Sequence, residues 1–372
     1  MNVDTQHRAR SASVPLDLRL RQLVAAALEG AELLSATPLS ADSVEHGETA
    51  KGAGYGAPLR LEVRHEGVIK SLCLHSAIPN VFGHDRRADR AAEMLVAADT
   101  FALLPQHTRV LDVGAYRGAG FVSLNGTGEF YLLTEYAEGQ PYADDLRRIA
   151  RTGKLTSLDI ERVDRLVQYL IGVHALPLAD ESLYTRSVRD LVGSGEGIFG
   201  IVDGYPEPTD GVEPSRLRHI EAACLDWRWR LKRRGARLVR IHGDFHPFNV
   251  LFDEHSALGL LDASRGSAGD AADDVAAMAV NYVFFASFDA KLWRTAFQHL
   301  WRRFWDGYLH LSKDGELLEV VAPFIAWRCL VLANPVWYPD MTAEHRRRLF
   351  DFIDTTLASP RFDPELAQSV FA

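Results

Sequence analysis

Cysteine is scarce in this chain: Cys73, Cys224 and Cys329 are the only three in 372 residues, and they lie far apart. An odd, widely spaced set fits neither a disulfide framework nor a zinc-binding pattern, so three buried apolar thiols are expected. Long hydrophobic runs are also missing, because no segment reaches the ~18 apolar residues of a membrane span. The first residues carry charges but no apolar signal segment. The sequence therefore predicts a cytoplasmic protein without a membrane partner.

A surplus of positive charge is absent as well. Lysine and arginine number 41 against 50 aspartate and glutamate residues, which gives a formal net charge of −9. General binding to nucleic acid needs a clustered basic surface, so no nucleic-acid partner is expected. The charge does not exclude a small-molecule substrate, since one basic pocket can coexist with an acidic surface. A chain of this length can bury one large core or two lobes.

The sequence does contain a polar run, His242–Asn249, with the spacing of a kinase catalytic loop. Asp244 and Asn249 are separated as in the kinase pattern D-x-x-x-x-N, and Asp262 follows at the distance expected of a kinase's metal-binding aspartate. Phosphoryl transfer needs a carboxylate that orients and deprotonates the acceptor hydroxyl, together with oxygen ligands for Mg²⁺. We therefore expect Asp244 to be the general base, and Asn249 and Asp262 to bind Mg²⁺.

The segment between Asn249 and Asp262 is expected to fold back on itself. Residues 250–252 and 258–261 are short apolar runs, which predict the two strands of a hairpin. Such a hairpin would return Asp262 to the polar loop.

Two histidines in the loop allow a different interpretation. His242 and His246 lie four positions apart, which on a helix would suit a metal ion. Gly243 and Pro247 argue against a helix, because glycine weakens helices and proline breaks them. His242 is therefore expected to support the loop by hydrogen bonds.

The motif H-G-D-x-H-P-x-N at residues 242–249, with its interval to Asp262, resembles the aminoglycoside phosphotransferase/choline kinase-like family. The resemblance covers roughly residues 50–285. It implies an α+β, two-lobed protein kinase-like fold, with a small β-rich N-lobe and a larger, mostly helical C-lobe. The expected domains are an N-terminal extension over 1–45, a nucleotide-binding N-lobe over 46–136 and a catalytic C-lobe over 137–372.

The resemblance continues after the loop. Residues 269–276 are similar to the family's G-D-P-x-x-D-L-A. Asp270 and Asp274 match the acids of that pattern, which brace the catalytic loop from the following helix. The resemblance therefore implies structural support of the site by both carboxylates.

The N-terminal half shows the order of elements that a kinase-like N-lobe requires. Alternation of apolar and polar residues predicts strands, and helical spacing predicts helices. The expected elements are a helix over 18–34, a hairpin of 59–64 and 68–74 around Glu66-Gly67, a helix over 85–101, and a strand pair of 110–113 with 130–133.

Residues 134–139 resemble the family's hinge between the lobes. Glu135 and Tyr136 are expected to offer backbone groups to the nucleotide base. Further on, helical spacing ends at His174, which is expected to be a packed core histidine. A later aromatic stripe at helical spacing is expected to fill the core; its members are Trp293, Phe297, Trp301, Phe304, Trp305 and Tyr308.

The residues that would bind the nucleotide phosphates are less specific. The run Lys51–Gly56 is rich in glycine and could form a backbone cradle over phosphates, or only a hairpin turn. The family places a lysine late in its third strand, where this chain has His75, and Lys70 lies five residues earlier. We predict that His75 lies nearer the phosphates than Lys70, because an odd offset points a side chain to the other face of a strand. Glu93 is the expected helix partner of the basic residue.

Other basic residues remain possible at that place. Arg86 or Arg87 could substitute for the strand lysine. Arg265 follows the second acid where the family has an aromatic residue and an acid, and it could bind phosphate or substrate or belong to a surface loop.

These expectations together describe a kinase for small molecules, in which ATP or GTP is the co-substrate, Mg²⁺ is the cofactor and a hydroxylated antibiotic or metabolite is the acceptor. One alternative is a kinase-like binding protein without transfer, because the strand lysine is missing. Another is a methyltransferase dependent on S-adenosylmethionine, since residues 110–120 include closely spaced glycines after a strand-like run. The acceptor, the choice between ATP and GTP, and the oligomeric state stay open.

Overall fold

The computed structural model describes residues 16–38, 58–80, 82–118, 120–263, 265–287 and 289–372. The chain forms two compact units, residues 1–133 and residues 134–372. Among the helices of the described ranges, none is both long and apolar enough to cross a membrane. The glycine-rich run Lys51–Gly56 lies outside the described residues.

The first unit combines two small antiparallel sheets with two helices. Its elements are α1 (Leu16–Ala27), β1 (Glu32–Pro38), β2 (Leu59–His65), β3 (Val68–Leu74), α2 (Arg87–Thr100), β4 (Gly114–Arg117) and β5 (Gly120–Ser123). One sheet has the order β1-β2-β3, and the other is the β4-β5 hairpin. Buried side chains of α1 and of the first sheet form a small core of their own; they include Leu20, Val24, Leu33, Leu61 and Val63.

The hairpin of β2 and β3 agrees with its prediction. Val63 lies opposite Lys70 in the register, and the strands join at Glu66 and Gly67. Both turn residues have positive φ values, 53° and 76°. That conformation is typical of a two-residue turn between antiparallel strands, because its twist matches the twist of the strands.

Two sequence predictions in this unit are wrong. The helix predicted over 18–34 ends at Ala27, and residues 32–38 pair with β2 as a strand. Gly30 adopts a φ of 77°, which ends the helix and leaves the following apolar residues free to join the sheet. The strand pair predicted for 110–113 and 130–133 is also absent from these segments, since the hairpin there consists of β4 and β5. Short apolar runs carry too little periodicity to fix strand limits.

The second unit is mostly helical. Its helices are α3 (Tyr142–Thr152), α4 (Ser157–His174), α5 (Ser182–Gly193), α6 (Ile198–Asp203), α7 (Pro214–Leu231), α8 (Ala271–Ala286), α9 (Ala290–Leu292), α10 (Gln298–Ser312), α11 (Leu317–Val320), α12 (Ala322–Ala333), α13 (Ala343–Ala358) and α14 (Leu366–Phe371). Its strands are β6 (Gln140–Pro141), β7 (Val239–Arg240), β8 (Val250–Phe252), β9 (Leu258–Leu260) and β10 (Ala268–Gly269). These form two small sheets, β6-β8-β9 and β10-β7.

One large apolar core holds the second unit together. All six members of the predicted aromatic stripe are buried in it, so their assignment to the core is confirmed. All six lie within α10 and a one-turn π-helix before it, Trp293–Phe297. The ring of Trp301 packs edge to face with Trp293 and lies tilted against Trp305. Cys224 and Cys329 are buried as expected, but Cys73 is exposed on β3, so the prediction of three buried thiols is wrong.

Candidate active site

The loop between β7 and β8 carries the polar motif of residues 242–249. Gly243 has a φ of 84°, and a Cβ at this position would collide with the carbonyl oxygen of Gly266. Glycine is therefore required on two grounds, a left-handed backbone and a close approach of the next loop. Phe245 is fully buried and its ring stacks on Tyr169 of α4 at 5.5 Å, which anchors the middle of the loop.

A buried carboxylate fixes the start of this loop. Asp274 accepts hydrogen bonds from the backbone N–H groups of His242, at 2.7 Å, and Gly243, at 2.8 Å. Its Oδ2 also lies 3.1 Å from His174 Nε2, and the other ring nitrogen of His174 lies 2.7 Å from the Tyr308 hydroxyl. His174 thus connects the core to the carboxylate that supports the loop.

The helix that presents Asp274 begins with a second buried acid. Asp270 is the N-cap of α8, and its side chain accepts a hydrogen bond from the amide of Ala272 at 3.0 Å. Arg237 donates to both of its carboxylate oxygens, at 2.8 and 2.9 Å, and the Tyr184 hydroxyl donates at 2.9 Å. Acids in the first turn also suit the positive end of the helix dipole. Asp274 thus contacts the loop directly, whereas Asp270 fixes the start of the helix that presents Asp274. The support of the site by both acids stays a prediction.

Asp244 and Asn249 meet inside the loop. The Asn249 side-chain amide donates to the Asp244 carboxylate at 3.3 Å and to the Asp244 carbonyl at 3.1 Å. His246 Nε2 lies 3.5 Å from the same carboxylate oxygen, Oδ2. His242 Nδ1 accepts from the amide of Asp244 at 3.3 Å. Because the nitrogen of the Asn249 amide is directed to Asp244, its oxygen is available for a different partner.

The β8-β9 hairpin brings Asp262 back to Asn249, as its two apolar runs predict. Val250 pairs with Leu260, and the amide of Leu261 donates to the carbonyl of Asn249 at 2.9 Å. Asp262 follows directly, exposed and with a φ of 46°. A non-glycine residue in this left-handed region is uncommon and is found disproportionately at functional sites.

The donor set of this corner suits Mg²⁺. Within the described residues no cluster of three or more histidine, cysteine, aspartate or glutamate side chains could hold a metal alone. Asn249 and Asp262 offer an amide oxygen and a carboxylate, which are oxygen ligands of the kind Mg²⁺ takes. Mg²⁺ in kinases uses few protein ligands and fills its remaining positions with water and substrate phosphates, so this small set fits.

Two arginines from other elements reach Asp244 on its second carboxylate oxygen. Arg328 of α12 donates from Nη1 to Asp244 Oδ1 at 2.6 Å and from Nη2 to Asp273 Oδ1 at 2.7 Å. Arg265 Nη1 lies 3.1 Å from the same oxygen of Asp244, and its Nε donates to Glu196 at 3.1 Å. Both guanidinium groups lie over the ring of Trp327, at 4.0 Å for Arg328 and 4.7 Å for Arg265.

These contacts change the acidity of the two carboxyl groups. Burial alone would raise the pKa of Asp244, but the hydrogen bond from His246 and the charges of Arg328 and Arg265 outweigh it and hold the pKa well below its usual range. Burial raises the pKa of Asp273 to about 6, in spite of the opposing charge of Arg328. Asp244 is therefore ionised at neutral pH and accepts hydrogen bonds only.

The candidates for the nucleotide end lie in the first unit. Lys70 Nζ lies 3.0 Å from His65 Nδ1, and His75 Nε2 lies 3.3 Å from Cys73 Sγ. Glu93 on α2 forms its ion pair with His84, at 3.3 Å. These contacts do not test the assignment of His75, Lys70 and Glu93 to the nucleotide, which stays a prediction.

The predicted hinge residues begin the second unit. Glu135 and Tyr136 are exposed and belong to neither a helix nor a strand. Their assignment to the nucleotide base also stays a prediction.

Sequence reasoning missed Arg328 and Asp273, and it left Arg265 undecided. One signal for Arg328 was present, because it is the single charged residue inside the apolar helix Ala322–Ala333. A buried charge in such a helix needs a partner of opposite charge. The identity of that partner depends on tertiary packing, since Arg328 and Asp244 are 84 positions apart.

Comparison with known proteins identifies the family of the chain. A model of the phosphotransferase enzyme family matches residues 86–308, which is more than half of the chain and includes the loop, the hairpin and α8. The chain belongs to the phosphotransferase enzyme family. With a β-rich first unit and a mostly helical second unit, the predicted α+β, two-lobed protein kinase-like fold class is confirmed.

The solved structures that match the chain include several small-molecule kinases. A glucosamine kinase shares 20% identity over 58% of each chain, with a TM-score of 0.40. Glucosamine kinase in complex with glucosamine, ADP and inorganic phosphate shares 18% identity over 76% of this chain and 74% of that one, with a TM-score of 0.42. The choline kinase LicA from Streptococcus pneumoniae shares 13% identity over 91% of this chain and 97% of that one, with a TM-score of 0.34.

The chain thus spans 58% of the length of the first of these kinases. At such identities and TM-scores the likeness says nothing about the acceptor of the present chain. No curated protein matches the sequence.

Proposed function

We propose that the protein transfers the γ-phosphoryl group of ATP or GTP to a hydroxyl group of a small molecule. The observation that carries this proposal is the meeting of Asp244 and Asn249 in one loop, with Asp262 returned beside Asn249 by the hairpin. Family membership supports the phosphotransferase class, and these side chains supply the groups that the reaction needs.

Asp244 is the proposed general base. Its carboxylate contacts Asn249 and His246 of the same loop and is ionised at neutral pH. It can therefore accept a hydrogen bond from the acceptor hydroxyl and orient that hydroxyl toward the γ-phosphorus. A group in this position contributes mainly by orienting the nucleophile, since phosphoryl transfer depends mostly on positioning and on charge stabilisation.

Asn249 and Asp262 are the proposed Mg²⁺ ligands. The cation, when bound, would neutralise charge on the nucleotide phosphates. His242 and Asp274 would support the loop through their hydrogen bonds to its backbone, and Asp270 would do so by fixing the start of α8.

In the same proposal the nucleotide is bound by residues 46–136 and the acceptor by residues 137–372. His75 and Lys70 are the candidates for the phosphates, with Glu93 as a supporting acid, and Glu135 and Tyr136 are the candidates for the base. The proposed acceptor is a hydroxylated antibiotic or metabolite.

A second candidate function is a kinase-like protein that binds nucleotide without transferring phosphate. Two observations favour it. Arg328 and Arg265 both form ion pairs with Asp244 Oδ1, which occupy the proposed base, and the strand lysine of the family is missing. A methyltransferase is not supported, since β4 and β5 form a hairpin where that activity needs a glycine turn followed by a helix.

Thermal shift and turnover separate these functions. We expect Mg-ATP or Mg-GTP to raise the melting temperature, S-adenosylmethionine to leave it unchanged, and a screen of hydroxylated metabolites and antibiotics to give a phosphomonoester product. Nucleotide binding without transfer to any acceptor would favour the second candidate. Absence of binding for both nucleotides would contradict the proposal.

A further inference from the structure

The two guanidinium groups at Asp244 form a polar site that the phosphotransferase chemistry described above does not use. Arg328 lies on α12, beyond the residues matched by the family model. Its side chain is only 6% exposed and donates to Asp244 Oδ1 at 2.6 Å, while Arg265 approaches the same oxygen at 3.1 Å. Asp244 Oδ2, in contrast, faces Asn249 and His246. The proposed base is thus flanked by its metal-side partners on one oxygen and by two cations on the other.

Each of the two guanidinium groups has an N–H donor that forms no hydrogen bond with the part of the chain that the structure describes. Within the described residues, Arg328 Nε and Arg265 Nη1 are buried and form no hydrogen bond, although Arg265 Nη1 lies at ion-pair distance from Asp244. A buried donor without an acceptor is costly, and a buried charge more so. Arg328 Nε, and Arg265 Nη1 if it turned from Asp244, could therefore donate to a further oxygen acceptor beside this carboxylate.

The arginines are held in fixed positions, as a ligand site requires. Both lie over the face of Trp327, whose indole N–H donates to the carbonyl of Glu196 at 2.8 Å. Arg328 is bound on its far side by Asp273, and Arg265 by Glu196. A planar guanidinium fixed in this way suits a carboxylate or phosphate, to which it can donate two parallel hydrogen bonds.

The carboxylates of this region do not cancel that preference. Asp273 binds Arg328, but its burial raises its pKa to about 6, so its negative charge weakens in mildly acidic solution. Glu196 has a side chain that is 73% exposed, so water screens its charge. A cationic acceptor that approached Asp244 Oδ1 would meet two guanidinium groups first.

We propose that Arg328 and Arg265 bind an oxyanion of the acceptor, a carboxylate or a phosphate placed next to its reacting hydroxyl. This inference rests on the proposed function and specifies its substrate: an anionic hydroxyl compound, in place of a cationic amino sugar or amino alcohol. The guanidinium groups then exchange Asp244 Oδ1 for the oxyanion of the acceptor. Arg328 and Arg265 are substrate-binding residues in this arrangement.

The exchange leaves Asp244 free to take part in the transfer. The acceptor's O–H bond breaks and its proton passes to the Asp244 carboxylate, while the hydroxyl oxygen forms a new bond to the γ-phosphorus. The bond between that phosphorus and the bridging oxygen breaks, and the electron pair leaves with the nucleoside diphosphate. Binding of an anionic acceptor therefore releases Asp244 from the arginines, and Asp244 can then deprotonate the hydroxyl of that acceptor.

Matched acceptor pairs test the inference. We would measure binding in the presence of Mg-nucleotide, and transfer kinetics, for small hydroxy acids, their primary amides, hydroxyalkyl phosphates and choline-like amino alcohols. Acid and amide share the hydroxyl and the shape and differ in charge. We expect at least about a tenfold preference for the acid over its amide, since hydrogen bonds to charged groups are the strong ones. The phosphate arm distinguishes a phosphate from a carboxylate as the preferred oxyanion.

The variant Arg265→Gln makes the test specific. Arg265 is 27% exposed, so its loss should leave the fold intact. We expect the KM for hydroxy acids to rise about 10- to 100-fold, the KM for amides to change less than about twofold, and Arg265→Lys to restore part of the acid preference. Arg302→Gln, an exposed arginine of α10 paired with Glu365, is the control and should change neither.

The outcomes separate this inference from the proposed function. Equal binding of acids and amides, or tighter binding of the amino alcohols, would overturn the inference even if the protein transfers phosphate to some acceptor. An unchanged acid preference in Arg265→Gln would overturn it too. Failure of every Mg-nucleotide to bind would instead refute the phosphotransferase proposal beneath it.

Discussion

Arg328 Nη1 lies 2.6 Å from Asp244 Oδ1, although 84 positions separate the two residues in the chain. The contact joins the helix α12 to the loop that carries the proposed base. The same guanidinium reaches Asp273 in the first turn of α8, so one buried cation links three elements of the second unit. Arg328 is thus important for the stability of the site as well as for the proposed recognition of the acceptor.

Replacing Arg328 by methionine should destabilise the protein strongly. The change leaves Asp273 buried without its arginine partner and Asp244 with Arg265 alone, and removal of one partner from a buried ion pair typically costs about 3–5 kcal/mol. The measurement is the free energy of unfolding in urea. Arg302→Met is the control, because Arg302 is exposed and its pair with Glu365 should contribute about 0–1 kcal/mol. Similar losses for the two variants would show that the Arg328 contacts carry no special weight.

Asp274 should be needed for the position of the loop. Asp274→Ala removes the acceptor for the amides of His242 and Gly243, and each buried donor left unsatisfied costs about 1–3 kcal/mol. We expect lower stability and a lower transfer rate, with Asp274→Asn between alanine and the natural residue because it keeps one acceptor oxygen. Asp306→Ala, an exposed acid on α10, is the control. Equal activity of Asp274→Ala and the control would contradict this role.

Asp262→Ala and Asn249→Ala should weaken nucleotide binding that depends on Mg²⁺, and Asp262 should have the larger effect. A carboxylate brings a charge to the cation, whereas an amide oxygen brings only a dipole. Nucleotide affinity is measured against Mg²⁺ concentration for both variants. Glu254→Ala, in the exposed turn of the same hairpin, controls for changes in the hairpin itself. If neither variant altered the Mg²⁺ dependence, the two-ligand site would be wrong.

His75 should matter more than Lys70 for binding of the nucleotide phosphates. On β3, Lys70 and Cys73 are three positions apart, so their side chains point to opposite faces of the strand. His75 is two positions beyond Cys73 and would share the face of Cys73 if the strand continued. The measurement is nucleotide affinity at neutral pH for variants of both residues. His75→Lys should keep or strengthen binding at neutral pH, and Lys70→Ala should change it little. A large loss in Lys70→Ala beside an unchanged His75→Ala would reverse the assignment.

The sequence predicts the parts of this molecule that depend on local order. Asp244, Asn249 and Asp262 belong to one loop and one hairpin, so spacing along the chain determines their proximity. The β2-β3 hairpin follows from alternation and from Glu66-Gly67, for the same reason. Where the sequence fails, the missing information is tertiary. Residues 32–34 have helical spacing, but they become a strand because β2 is available to pair with them.

Arg328 shows the same limit at the site. Its position within an apolar helix indicates a buried charge, but only the packing of α12 against the loop identifies Asp244 as its partner. Phe130–Leu133 have strand-like composition but lie exposed outside any strand, and the hairpin of this region is formed by β4 and β5 instead.

The most direct test of the central claim is the transfer of a labelled γ-phosphoryl group from ATP or GTP by the natural protein and by Asp244→Asn. We predict that the natural protein forms a phosphomonoester of its acceptor. The variant should transfer about 10²–10⁴ times more slowly, because the general base is lost, while its nucleotide affinity stays within a few fold. Transfer by Asp244→Asn at the rate of the natural protein, with the label in the same product, would contradict the assignment of this loop as the site of phosphoryl transfer.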